Sequence, residues 1–322
     1  MKKIELHLHL DGSIRPTTIS ELLNISLEEA KKLSITSEKT NSLEEYLNKF
    51  DIPLKILQTK NNLTRVSKEL AEDLQKDNVI YAEIRFAPNK HLEKGLTLDE
   101  VITSILNGLR KVPLKTNLIL CMMRGDSFSK NLEVIKYAKK YLGKGVVGID
   151  LAGNEFTYPV NEYKKLFDIA KKENIPFTIH AGEADGALSV INAINLGAKR
   201  IGHGVRAIES DEALKLIKEK DITLEICPKS NIDTNMYNKL EEHPIKKLFD
   251  KKIKITLNTD NRTVSNITLN ETYEKLKNSF KFTDEDFIIM NKNAIQSAFI
   301  NDFEKKELES LLIKWFNKCF KY

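Results

Sequence analysis

Most histidines of this chain fall in or directly after short apolar runs that are typical of β-strands. The chain has only six histidines, and four occupy such positions: His7, His9, His180 and His203. His7 and His9 are two residues apart, so in a strand both imidazoles point to the same face. Neutral imidazole is a common ligand for metals such as zinc. The pattern favours a metal site, although an H-x-H pair alone also fits a half-exposed strand.

Two carboxylates follow the same kind of apolar run. Glu183 comes three residues after His180 in IHAGE, and Asp260 lies in LNTDN. Taken singly, Glu183 also fits the first turn of a helix, and Asp260 fits an N-cap. Three histidines and one aspartate would hold a catalytic zinc and leave one position for water, whose pKa zinc lowers to about 7. Glu183 and His203 remain as proton-transfer candidates, so the residues predict a metal-dependent hydrolase.

Eight β-rich runs alternate with helical patterns, and several are apolar on both faces, as in parallel strands covered by helices. The runs start at Lys3, Val79, Thr116, Val146, Pro176, Arg200, Ile222 and Lys254. They predict an α/β fold, a (β/α)8 barrel of the TIM type, in which catalytic groups come from the carboxyl ends of the strands. An open doubly wound sheet is less favoured, because no glycine-rich phosphate turn follows the first run.

The connections between these runs carry amphipathic helical patterns. A capping box at 42–45 begins one helix, and a second helix has an apolar stripe from Leu63 to Leu74. We predict a single domain over 1–322. A helical insertion at 11–78, after the first strand, would cover the barrel mouth, and extra helices would follow the eighth strand.

The composition is that of an ordinary globular chain. Hydrophobic residues make up 41% and charged residues 30% of its 322 residues, and the net charge of +5 excludes a histone-like polycation. No segment approaches the roughly 18 apolar residues that span a bilayer, and no secretory signal is visible. Cys121, Cys227 and Cys319 are too scattered for a CxxC zinc site or a disulfide framework. We expect a cytoplasmic protein without a membrane partner.

Seven segments together resemble the adenosine deaminase family in their order and spacing. They are HLHLDGS from His7, IDLAGNE from Ile149, IHAGE from Ile179, RIGHGVRA from Arg200, ICPKSN from Ile226, HPI from His243 and LNTDN from Leu257. The resemblance implies hydrolytic deamination of adenosine and 2′-deoxyadenosine to inosine or deoxyinosine and ammonia, a step of purine salvage. It also implies one zinc ion per subunit, whose ligands would be His7, His9, His180 and Asp260.

The resemblance also implies the roles of three catalytic residues. Glu183, as its protonated acid, would give a proton to purine N1, which requires a raised pKa. His203 would take a proton from the attacking water. Asp260 would orient that water in addition to binding zinc. The two other histidines are expected to be structural, His91 in a loop and His243 at a helix start.

Four residues are expected at the substrate. By the resemblance, Asp11 would accept a hydrogen bond from the ribose 5′-hydroxyl, and the Gly153 N–H would reach purine N3. His9 would contact the substrate as well as the metal. Asn261 stands where many family members have Asp, but its amide can donate to purine N7 at any pH. Asn154 is a second departure, and it is not an expected ligand.

Several other functions stay open at this point. A deaminase of adenine or of a modified adenosine is the main alternative, although Asp11 favours a free 5′-hydroxyl. A two-metal barrel hydrolase is less favoured, because no lysine ends a predicted central strand. A non-catalytic nucleoside-binding barrel is remote, because all ligands and Glu183 are present. Nucleic-acid deaminases carry H-x-E with P-C-x-x-C, and neither that cysteine pair nor a basic–aromatic stripe appears here. We expect a purine nucleoside as the only partner, no nucleic acid and a monomer.

Overall fold

Eight parallel strands form the centre of the molecule. The computed structural model describes residues 1–36, 46 and 48–320. The strands are β1 (Lys3–His9), β2 (Val79–Phe86), β3 (Lys115–Met123), β4 (Val146–Ala152), β5 (Thr178–Ala181), β6 (Arg200–His203), β7 (Thr223–Ile226) and β8 (Lys254–Leu257). All eight predicted strands are confirmed. They are buried on both faces over most of their length, which explains why their sequences are apolar without strict alternation.

The strands are arranged in sequence order. β1 to β4 form one parallel four-stranded sheet and β5 to β8 form another. Isolated parallel bridges, Leu8 to Asp260 and Ile149 to Phe177, join the two sheets at both seams. The His9 N–H donates to the Asp260 carbonyl at 2.7 Å across one of these seams. The eight strands therefore form the ring of the predicted TIM-type barrel, and their carboxyl ends all meet at one mouth.

Helices surround this ring and connect its strands. They are α1 (Pro16–Leu23), α2 (Leu27–Ser34), α3 (Asp51–Ile56), α4 (Lys60–Lys76), α5 (Leu98–Leu109), α6 (Phe128–Tyr141), α7 (Lys164–Lys172), α8 (Ala187–Asn195), α9 (Asp211–Glu219), α10 (Pro228–Asp233), α11 (Ile245–Asp250), α12 (Leu269–Phe280), α13 (Asp284–Ser297) and α14 (Asp302–Phe320). Among the described residues, none of these helices is both long enough and apolar enough to cross a membrane.

The helices agree with the sequence patterns where both can be compared. α1 to α4 lie in the predicted insertion at 11–78, and α12 to α14 are the extra helices after β8. The stripe from Leu63 to Leu74 is the buried face of α4, and the Thr59 side chain caps that helix. The capping box predicted at 42–45 lies outside the described residues.

Candidate active site

Four side chains converge at the mouth of the barrel. His7 and His9 come from β1, His180 from β5, and Asp260 from the segment directly after β8. One potential ligand atom from each of them lies within 4.8 Å of all the others. The Asp260 Oδ1 atom is 3.4 Å from His7 Nε2 and 3.3 Å from His9 Nε2. The structure thus brings together all four residues predicted as metal ligands.

Backbone geometry at the strand ends aims two of the site residues. His203 has φ of 60° and Asp260 has φ of 62°, both in the left-handed region. Such a conformation costs of order 1–3 kcal/mol for a residue other than glycine, and it is concentrated at functional sites. The close approach of His7 explains why a glycine, Gly202, precedes His203: a Cβ at that position would lie 2.9 Å from His7 Cε1. A side chain at that position would therefore force His7 or the backbone around it to shift.

The cluster has the donor set that a zinc ion requires, with ring nitrogen atoms whose lone pairs are free to bind a metal. His7 Nδ1 is hydrogen-bonded to Glu225 Oε2 at 2.8 Å, while its buried Nε2 has no hydrogen-bond partner. His180 Nδ1 lies 2.9 Å from Asp150 Oδ2. A carboxylate on one ring nitrogen leaves the other free and more basic, which is the usual support of a metal-binding histidine. The residues therefore fit a zinc ion.

A second group of potential ligands overlaps the first and fits less well. His7, His203 and Cys227 are also close enough together for one ion. Burial raises the pKa of the Cys227 thiol well above its usual range, and the thiol donates to the Glu225 carbonyl. Because a thiol must lose its proton to bind a metal, this second group is the poorer site.

Buried arginines support the carboxylates behind the histidines. Arg85 bonds to Asp150 at 2.9 Å and to Glu225 at 2.8 Å. Arg200 bonds to Glu225 at 2.6 Å and to Glu83 at 2.6 Å. Burial by itself would raise the pKa of Asp150, but the charges of His180 and Arg85 lower it below its usual value. The Asp150 carboxylate therefore stays ionised inside the barrel. Sequence reasoning missed this network.

Glu183 lines the same cavity as the metal cluster, and its Oε2 atom lies 3.5 Å from His203 Nε2. Burial raises its pKa well above the usual range, and the charges of Asp260 and Glu155 raise it further. A raised pKa favours the protonated form of a carboxyl group, in which it can serve as an acid.

The loop that carries Glu183 is built around Glu155, a residue that sequence reasoning also missed. The Glu155 carboxylate accepts from the backbone N–H groups of 182–185 at 2.6 to 3.2 Å, and from the Ser189 hydroxyl. It is almost fully buried. The signal was present in IDLAGNE, where a glutamate follows a buried strand, but only the fold reveals its partners.

The remaining histidines occupy defined places. His203 Nδ1 lies 3.1 Å from Asn231 Nδ2, and His243 Nε2 lies 3.1 Å from Asn231 Oδ1. His243 immediately precedes the N-cap of α11, as predicted, but it also reaches the site through Asn231. His91 hydrogen-bonds the Leu57 carbonyl at 3.0 Å and is fully buried, which confirms its structural assignment.

A cavity of about 230 Å³ adjoins the cluster. Eight of the nine predicted site residues line it, and only His7 does not: His9, Asp11, Gly153, His180, Glu183, His203, Asp260 and Asn261. A larger groove of about 720 Å³ lies elsewhere, at the amino ends of β5 to β8, and contains none of the cluster residues. Of these two, the smaller cavity is the functional candidate, because among the described residues it is the one lined by the predicted metal ligands and proton-transfer groups.

The substrate-side residues differ in how they are held. Asp11 Oδ1 is buried without a hydrogen-bond partner, and burial raises the pKa of Asp11 to about 6. Gly153 has φ of 100°, which a residue with a side chain rarely adopts, so its backbone can turn into the cavity. Asn261 Nδ2 donates to the Tyr46 hydroxyl at 2.9 Å. The amide has a second N–H, which stays available for a ligand.

The fold and the site define a class of protein. A parallel α/β barrel with three imidazoles and a carboxylate converging at the carboxyl ends of its strands is the architecture of a metal-dependent hydrolase.

Comparison with known proteins narrows this class to one family. The family model described as adenosine deaminase matches residues 2–315. A relative from Clostridium perfringens named adenosine deaminase is 46% identical, over 97% of this chain and 98% of its own length. An Arabidopsis N6-mAMP deaminase structure has a TM-score of 0.89 at 27% identity, covering 98% of both chains. An adenine deaminase structure from Arthrobacter aurescens has the same fold, with a TM-score of 0.89 at 24% identity and coverage of 98% and 99%. The chain belongs to the adenosine deaminase family.

Proposed function

We propose that this protein is a zinc-dependent deaminase that hydrolyses adenosine and 2′-deoxyadenosine to inosine or deoxyinosine and ammonia. The observation that carries the proposal is the convergence of His7, His9, His180 and Asp260 within 4.8 Å of one another, beside a cavity that also contains Glu183. A metal site and a buried acid that line one cavity are the parts that hydrolysis at C6 of a purine requires.

The zinc ligands in this proposal are His7, His9, His180 and Asp260. Zinc bound there would lower the pKa of a water molecule to about 7, which supplies a nucleophile at neutral pH. The protein's part is to hold the ligands. Ser230 donates to Asp260 Oδ2 at 2.6 Å, which fixes the carboxylate while its other oxygen faces the histidines.

Glu183 is the proposed acid, and it delivers its proton to purine N1. Protonation at N1 withdraws electron density from C6 and makes that carbon more electrophilic. General acid catalysis of this kind contributes about 10²–10⁴-fold. His203, with Nε2 directed at the same region, is proposed to contact the attacking water, and Asp260 to orient it.

Asp11, Gly153 and Asn261 are the proposed recognition residues, with His9 at the boundary between substrate and metal. Asp11 would accept from the 5′-hydroxyl, the Gly153 N–H would donate to N3, and the Asn261 amide would donate to N7. None of these contacts addresses the 2′-hydroxyl, so both adenosine and deoxyadenosine are proposed substrates.

Asp11 also argues against a 5′-phosphate on the substrate. A carboxylate repels a phosphate at the same place, and Lys90, a cation that lines the cavity, is already paired with Asp126 at 3.1 Å. We therefore propose a nucleoside substrate, although a structural relative acts on N6-mAMP according to its name. We further propose a monomer in the cytoplasm. The two described cysteines, Cys121 and Cys227, are free and buried, which agrees with a reducing compartment.

A comparison of four substrates tests this proposal. Purified zinc-replete protein is incubated separately with adenosine, 2′-deoxyadenosine, adenine and N6-methyl-AMP, and the loss of the 6-amino group is followed by ultraviolet absorbance. Ammonia release is measured for the first three substrates and methylamine release for N6-methyl-AMP. We expect the two nucleosides to have the highest kcat/KM. A higher kcat/KM for adenine or N6-methyl-AMP would overturn the substrate assignment, and no turnover of any of them would overturn the deaminase assignment.

A further inference from the structure

The side-chain amide of Asn231 lies between two buried imidazoles. Its Nδ2 is 3.1 Å from His203 Nδ1, and its Oδ1 is 3.1 Å from His243 Nε2. All three side chains are almost completely buried. A primary amide has one donor end and one acceptor end, so the direction of the hydrogen bond on one side determines the direction on the other.

His243 fixes that direction. The backbone N–H of Ile245 donates to His243 Nδ1 at 3.1 Å. A backbone N–H can only donate, so His243 Nδ1 must carry a lone pair. Burial lowers the pKa of His243 to about 3, so the ring is neutral and its single proton is on Nε2. His243 Nε2–H therefore donates to Asn231 Oδ1.

The amide then transmits this direction to the active site. With Oδ1 facing His243, the Nδ2 group of Asn231 faces His203 and donates to its Nδ1. A neutral His203 must then carry its proton on Nε2. That nitrogen lies 3.5 Å from Glu183 Oε2, and His203 lines the cavity.

We infer that His243 and Asn231 are positioning residues that hold neutral His203 with its proton on Nε2, so that His203 acts on the attacking water as a hydrogen-bond donor. The catalytic meaning of this inference rests on the proposed function. Nε2 has no lone pair in this state and cannot take a proton from the water. That proton goes instead to the carboxylate that Glu183 becomes once it has protonated the purine.

Nuclear magnetic resonance tests the protonation state without any turnover. Two-bond 1H–15N spectra of zinc-replete enzyme with labelled histidine identify which ring nitrogen carries the proton, and the His203→Gln variant assigns the His203 signals. His91 is an internal reference for the opposite state, because its Nδ1 must donate to the Leu57 carbonyl. We expect Nε2–H for His203 and Nδ1–H for His91. Nδ1–H on His203 would overturn the inference, whatever the substrate.

The Asn231→Asp variant tests the catalytic consequence. Aspartate offers only acceptors, so His203 must carry a proton on Nδ1, and a neutral His203 then presents the lone pair of Nε2 to the cavity. Loss of one preorganised donor costs about 10²–10³-fold in kcat, so we expect kcat to fall at least about 10²-fold with a smaller change in KM. Asn238→Asp, at an exposed position after the same helix, is the matched control and should leave kcat unchanged.

Two results decide between the donor role and the base role. If Asn231→Asp moves the proton to Nδ1 while kcat stays the same or rises, the donor role is wrong. The His243→Gln variant retains a side-chain N–H that can donate to Asn231 Oδ1, so we expect His203 to keep its Nε2–H signal. Loss of that signal would contradict the role of His243. If Asn231→Asp does not fold, the wild-type spectrum still decides the protonation state.

Discussion

Removing the carboxylate of Glu155 should disorder the loop that presents the catalytic acid. Its Oε2 atom accepts from the backbone N–H groups of Glu183 at 3.0 Å, Ala184 at 2.9 Å and Asp185 at 3.2 Å. Its Oε1 atom accepts from the Gly182 N–H at 2.6 Å and from the Ser189 hydroxyl. In the Glu155→Gln variant an NH2 group replaces one of these oxygens, and it cannot accept the hydrogen bonds of the donors around it.

The structure sets the size of the effect. At least two hydrogen bonds to a charged group are lost, and each contributes about 1.5–3 kcal/mol. The expected loss in the free energy of unfolding is therefore roughly 3–6 kcal/mol if the loop stays in place. If the loop moves instead, the cost appears in catalysis, because a displacement of about 1 Å can cost 10²-fold. Glu183 is then misplaced relative to the purine ring.

Denaturant unfolding and steady-state kinetics of Glu155→Gln measure both outcomes. We expect a clear loss of stability or a fall of about 10²-fold in kcat, whichever way the loop responds. Glu162→Gln removes an exposed carboxylate from the connection between β4 and α7 and should match the wild type. A Glu155→Gln variant that equals this control in both stability and kcat would refute the reasoning.

Three further predictions concern single residues. Glu183→Gln should lower kcat by about 10²–10⁴-fold with unchanged zinc content, and a loss of less than 10-fold in a kinetic assay would contradict its role as the acid. Asp11→Ala should lower kcat/KM for adenosine by roughly 10-fold or more, and in the wild type KM should rise below pH 6, where Asp11, whose pKa is about 6, becomes protonated. Burial lowers the pKa of His91 to about 4, so between pH 6.5 and 4 the His91 imidazole takes up a proton only in the unfolded chain. The free energy of unfolding therefore falls by about 3 kcal/mol as the pH falls through this range. His91→Asn should remove that part of the acid sensitivity in denaturant unfolding at pH 7 and pH 4.5, and an unchanged difference would contradict it.

The strands and the metal cluster could be predicted because their signals are local. Buried parallel strands read as apolar runs, and His7 and His9 share a face by strand geometry alone. His180 and Asp260 end other runs, and the carboxyl ends of all barrel strands meet at one mouth. Sequence spacing together with this rule predicts that these residues converge, and the family resemblance implies which four of them bind the metal.

The supporting residues could not be predicted because their partners are distant in the chain. Arg85 and Glu225 lie in β2 and β7, 140 positions apart, and pair only because the barrel closes. In the sequence, each looks like a charged residue on an exposed strand face. Asn231 is similar, because its neighbour Ser230 and the helix α10 give no sign that its amide joins two histidines.

The central claim is that one zinc ion in this cluster is required for deamination. The most direct test is to remove metal from the protein with a chelator, return zinc in measured steps, and record adenosine turnover at each step. The account predicts no turnover without zinc and a linear rise that stops at one zinc ion per chain. Full turnover by the metal-free protein, or a rise that continues to two ions per chain, would contradict it.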